Sequence, residues 1–157
     1  MMIELSPSQL EYLRLYPPGE AVAQALSDLL AKDNYLLAED VSERSITCRF
    51  AMYLQSKLPD WNVDCEYNRD GSHPKKPYPD SENEKAKIFI PDVIVHKRGR
   101  KGPNHLVMEF KKSVNSAGRD YDRRKLCCYK KSFDYAYALF IEVDTSGQKG
   151  VTALEWL

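Results

Sequence analysis

Two apolar segments constrain this chain more than anything else in it. Residues 88–96 read IFIPDVIVH and residues 105–112 read HLVMEFKK, with a basic turn, KRGRKGPN, between them. Short runs rich in β-branched residues and bounded by Gly, Pro and Asn are strand signals, and the short link predicts a hairpin. Three ionisable residues interrupt the hairpin. Side chains alternate along a strand, so Ile90, Asp92 and Ile94 share one face, while Glu109 and Lys111 share a face with Val107, and Phe110 lies opposite. Aspartate is depleted in strands, and a half-buried carboxylate needs a partner.

If the strands pair, Asp92 and Glu109 converge. Two carboxylates repel unless a cation lies between them. Hard oxygen donors suit Mg²⁺ or Mn²⁺, with water in the remaining positions. Such an ion would stabilise charge on a scissile phosphate and lower the pKa of a bound water. Lys111 would then position that water or stabilise the transition state. Plainer readings stand beside this one: Asp92 as a turn residue after Pro91, and Glu109 with Lys111 as an exposed cross-strand charge pair.

The rest of the chain supplies helices before the hairpin and a helix and strands after it. Ser6-Pro7 is a helix start. Leu10, Leu13 and Tyr16 form a short stripe before Pro17-Pro18. A helix over 20–32 packs through Ala21, Ala25, Leu26, Leu29 and Leu30. Another over 42–57 carries Ile46, Phe50, Tyr53 and Leu54 at helical spacing and stops before Pro59. Residues 61–69 read as a strand, and the polar stretch 69–87 as a long exposed loop. A break at 113–118 leads to a helix over 119–133, a strand over 137–143 and a further strand over 151–156. This order predicts a mixed α/β domain with one central sheet.

The 157 residues suit a single domain. Formal net charge is zero, so any nucleic-acid-binding surface must be local. Two basic clusters are candidates: Lys97, Arg98, Arg100 and Lys101 in the hairpin turn, and Arg119, Arg123, Arg124, Lys125, Lys130 and Lys131 in the later helix. Lys75, Lys76 and Tyr78 in the long loop are candidates for the same surface. The four cysteines form no CxxC pair, which argues against zinc. His73, His96 and His105 show no ligand spacing and are expected at the surface or at strand ends. With no signal-peptide pattern and no apolar run of membrane-spanning length, the expectation is a cytoplasmic protein without membrane association.

Ile90-Pro91-Asp92 followed by Glu109-Phe110-Lys111 resembles the PD…EXK signature of the PD-(D/E)XK nuclease superfamily. The likeness extends over the flanking helices and strands, roughly residues 42–143. It implies a restriction-endonuclease-like αβββαβ core (41–157) with a central mixed sheet flanked by helices. Residues 1–40 would be an amino-terminal helical extension, a candidate for homodimer or partner-protein contacts. It implies a Mg²⁺- or Mn²⁺-dependent nuclease acting on nucleic acid, DNA above all. Asp92 and Glu109 would bind the metal, helped by the Phe110 backbone carbonyl, and Lys111 would be the catalytic lysine. Glu43, from the preceding helix, matches a further acid that many members carry; with Asp40 three residues earlier it also fits a capping arrangement. Glu66 is a weaker competitor for that role. Lys125 and Tyr129 match a polar residue and tyrosine four positions apart, although the RecB-like subgroup has glutamine where Lys125 stands. Lys97, Arg98, Arg100, Lys101, Arg123, Lys125 and Tyr129 are the candidate nucleic-acid contacts. The alternatives are a nucleic-acid-binding module without efficient catalysis and a subunit of a larger DNA-processing complex.

Overall fold

The computed structural model describes residues 2–67, 69–70, 73–74, 90–115, 118–146 and 149–157. Lys75, Lys76, Tyr78 and the start of the expected strand at 88–89 lie outside the described residues.

Four helices come first: α1 (Pro7–Leu13), α2 (Gly19–Lys32), α3 (Asn34–Ala38) and α4 (Glu43–Lys57). Strand β1 (Asn62–Cys65) and a two-stranded ribbon, β2 (Arg69–Asp70) with β3 (His73–Pro74), follow. Then come β4 (Val93–His96), β5 (Asn104–Lys112), a 3₁₀ turn, α5 (Arg119–Ser132), β6 (Tyr135–Val143) and β7 (Val151–Trp156). The fold is mixed α/β, with a five-stranded sheet in the order β1-β4-β5-β6-β7 and helices on its faces. Only β5 and β6 run parallel, because α5 carries the chain back between them; the other neighbours are antiparallel.

The helices begin where the sequence supplies caps. In α1, Ser6 Oγ accepts from Gln9 N and the Gln9 side chain accepts from Ser6 N, a reciprocal capping box. In α4 the cap is Ser42, which accepts from Ser45 N. Gly118, at φ 85°, turns the chain into α5 in a conformation open to glycine. Asp120 and Asp122 in the first turn and Lys130 and Lys131 in the last complement the α5 dipole.

Alternation on β4 and β5 divides the core in two. Val93, Val95, Leu106, Met108 and Phe110 face α2 and α4 and share one apolar cluster with Leu13, Leu26, Leu29, Phe50 and Leu54. Within the amino-terminal region Leu13, Val22, Leu26 and Leu29 are buried, while Leu15, Tyr16 and Tyr35 stay exposed. Ile94, Val107 and Phe140 point the other way, onto Leu126, Tyr129 and Phe133 of α5 and its end. Gln55 ties α4 to the sheet by accepting from Val63 N (2.9 Å) and donating to Trp61 O (2.8 Å).

Local differences from the sequence expectation have local causes. Asp134 adopts φ 53° and lets β6 begin at Tyr135, earlier than expected. Helix α3 and the β2–β3 ribbon occupy segments read from sequence as connections.

Phe50 anchors α4 against Phe110, with ring centroids 4.9 Å apart, directly behind Glu109 and Lys111. Truncating Phe50 to alanine should cost about 3–5 kcal/mol of unfolding free energy. Urea denaturation checks this, and a cost below about 1 kcal/mol would show that the α4–sheet contact carries little of the fold.

Candidate active site

The geometry of the acids follows from strand register. Val93 pairs with Met108 and Ile94 with Val107, so continuing the ladder by one step sets Asp92 opposite Glu109. Asp92 sits immediately before β4, half-buried, while Glu109 is only 6% exposed. Asp92 N donates to Glu109 Oε1 (3.2 Å), and Phe110 N donates to Asp92 Oδ2 (2.8 Å).

Beyond Val93, the edge of β5 is capped by side chains. Asp92 takes the Phe110 N–H, and Glu43 Oε2 accepts from Lys112 N (3.2 Å). Glu43 reaches this edge because it lies in the first turn of α4. A strand residue turns its N–H and C=O to the same neighbour, so the Phe110 carbonyl lies on this edge as well, between the two carboxylates.

Burial raises all three acids. The Glu109 carboxyl is pushed well above its ordinary value by burial and then by Asp92, with Lys125 pulling the other way. Asp92 is raised by burial, against the Phe110 N–H, Glu109 and Lys125. Glu43 is raised by burial and then by Asp92; the Lys112 N–H and Lys111 oppose this, and Asp122 adds to it. A buried acid pair with this pattern has a deficit of positive charge.

Lys111 projects on the same face as Glu109 and forms an ion pair with Asp122 of α5 at 2.9 Å. Asp122 was not singled out from the sequence. Its signal was available in the spacing of Asp122, Lys125, Leu126 and Tyr129, which places all four on one side of a helix. That side meets the sheet, for Leu126 and Tyr129 are buried in it and the Lys125 charge acts on both Asp92 and Glu109.

Several other candidates lie apart from the acids or are engaged elsewhere. Asp40 does not cap α4; it pairs with Lys112 Nζ at 2.6 Å, which leaves Glu43 free to face β5. Glu66 lies past the end of β1 and is engaged by Arg44 at 3.1 Å. The basic turn does not adjoin the acids. Lys97, Arg98, Arg100 and Lys101 close the hairpin at its far end, roughly 15 Å or more from Asp92 at the usual strand rise. Arg98 is held there by both oxygens of Asp64 (2.5 and 2.9 Å), and Lys97 lies over the Trp61 ring (4.8 Å). Arg123 lies over Phe140 and pairs with Glu155, facing the sheet. Tyr129 is 1% exposed and packs on Phe133 and Tyr135, so its ring is not available to stack on a base. His96 stands at a strand end as expected, the last residue of β4, and there it is buried and bonded to Asp64 (2.7 Å). His105 is half-buried and stacks on Trp61 with ring centroids 4.6 Å apart.

Among the described residues, no group of three or more His, Cys, Asp or Glu side chains is arranged to hold a metal ion. No helix among them is long and apolar enough to cross a membrane. No protein-family model matches the chain, and no curated protein matches it. The chain is similar to the crystal structure of SSO0001 at 15% identity and a TM-score of 0.35, over 95% of this chain and 72% of that one. A likeness at that score carries no argument.

A carboxyl raised on folding binds its proton more tightly folded than unfolded. The stability it contributes is full below the ordinary carboxylate range and is lost as pH rises through the folded-state value. Replacing Glu109 with glutamine removes that loss. Unfolding of Glu109→Gln beside wild type should therefore show a variant more stable at pH 8 by about 0.5–2 kcal/mol, with the gap shrinking toward pH 4. A variant less stable at pH 8 would mean that Glu109 is favourably charged where it lies.

Proposed function

We propose that this chain is a nucleic-acid-binding domain of the PD-(D/E)XK type, and that its acidic centre hydrolyses phosphodiester bonds, with DNA the favoured substrate. The observation that carries this reading is the buried Asp92–Glu109 pair, set opposite each other by the β4–β5 register with Lys111 on the same face. A structural charge pair would bring opposite signs together; this site brings like signs together and leaves them short of positive charge.

The donor set fits Mg²⁺ or Mn²⁺. Mg²⁺ is commonly bound through one or two carboxylates with water completing its shell, so a third acid is not required. Asp92, Glu109 and the Phe110 carbonyl would hold the ion, which would supply Lewis acidity toward a phosphate oxygen. The Lys111 ammonium stabilises the negative charge that grows on the phosphate during attack. Glu43, raised by burial and by Asp92, is suited to accept a proton from the attacking water. Lys125 offsets part of the acids' repulsion from the α5 side.

A second reading, binding without turnover, is favoured by one observation: no three-acid group stands ready among the described residues. A cleavage panel of single-stranded, duplex and branched DNA and RNA, with Mg²⁺ or Mn²⁺, separates the two. The proposal expects wild type to cut, and Asp92→Asn to lose roughly 10²–10⁴-fold in rate with its fold intact. Salt-dependent binding without cleavage under any metal would favour the second reading. Neither binding nor cleavage would remove both.

A further inference from the structure

We infer that Asp122 is a positioning residue that holds the Lys111 ammonium on the Glu109 face of β5, so that α5 supplies part of the site's geometry as well as cover for the sheet. The inference rests on the phosphodiesterase reading above.

A lysine is a point charge on a flexible four-carbon stem, and placing it costs side-chain entropy. Lys111 is held by a carboxylate 2.9 Å from Nζ, in a pair with side chains only 19% and 15% exposed. Ion pairs this far from water are weak sources of stability, because desolvation offsets much of the attraction. Their better-attested use is to fix an arrangement.

The neighbouring acids have other commitments. Glu109, on the same face of β5, accepts from Asp92 N. Glu142, in register with Lys111 on β6, is taken by Arg119 and by Thr152 Oγ1. Asp122 is the acid placed to take Lys111. One step along the same helix side, Lys125 answers Asp92 and Glu109. On β5, Glu109 and Lys111 lie acid then base along the strand. On α5, which runs antiparallel to β5, Asp122 and Lys125 lie in the complementary order, so one axial setting of the helix satisfies the strand. Sliding α5 along its axis by roughly one turn would set Asp122 against the acids, where like charges repel.

The test compares wild type with Asp122→Asn and Asp122→Glu. Steady-state cleavage of the best DNA substrate is measured together with the Mn²⁺ concentration for half-maximal rate, the KM for DNA and the melting temperature. Asparagine keeps the volume and removes the charge. The expected result is a kcat lower by on the order of 10–100-fold, with Mn²⁺ half-saturation, KM and melting temperature unchanged, and partial recovery in Asp122→Glu. An unchanged kcat in Asp122→Asn overturns the inference. So does a rise in Mn²⁺ half-saturation, which would make Asp122 a metal ligand, or a large fall in melting temperature, which would make it structural. If wild type does not cut, the phosphodiesterase reading fails and this inference falls with it. If wild type cuts and the variant is indifferent, only the inference fails.

Discussion

The antiparallel pairing of β4 with β5 is the constraint on which the rest depends. Its register sets Val93 against Met108 and so places Asp92 across from Glu109. A slip of one residue would exchange the two faces of the strand and bury Asp92 among the leucines of α2 and α4. The apolar alternation of both strands makes that slip costly, since Val93 and Val95 belong to one core cluster and Ile94 to the other. Hydrophobic burial on both sides of the sheet thus holds together two carboxylates that would otherwise separate.

Charge then organises the α5 side. The carboxy-terminal half of that helix is seated by Leu126 and Tyr129. Its amino-terminal half meets the sheet through ion pairs: Asp122 with Lys111, Arg119 with Glu142, and Arg123 with Glu155. The chain is electrically neutral overall, yet its charges are sorted. The α2–α4 face of the sheet is almost wholly apolar, and the α5 face carries the charged band in which the candidate chemistry lies.

Much of this was legible in the sequence where one segment carried its own signal. The hairpin showed in the alternation of residues 88–96 and 105–112, α4 in the spacing of Ile46, Phe50 and Leu54, and the helix starts in Ser6-Pro7 and Ser42. Features that depend on two segments meeting were not legible in the same way. His96 is buried because Asp64 on the neighbouring strand accepts it, and nothing in the local sequence marks that pairing. Asp40 was a plausible cap until Lys112 claimed it. Asp122, not singled out from the sequence, takes its role from the packing of α5 on β5. The position of the basic turn was decidable in advance: a hairpin turn lies at the end of its strands, and Asp92 opens β4 while Glu109 and Lys111 close β5. Nearness in the chain concealed distance along the strands.

The central claim is that Asp92 and Glu109 form a centre short of positive charge that a divalent cation completes. Equilibrium titration of the folded protein with Mn²⁺ at neutral pH, followed by electron paramagnetic resonance, tests it without relying on turnover. The account predicts a saturable site in wild type that is lost in Asp92→Asn. Binding of equal strength in wild type and variant, or no specific binding to wild type, would contradict it.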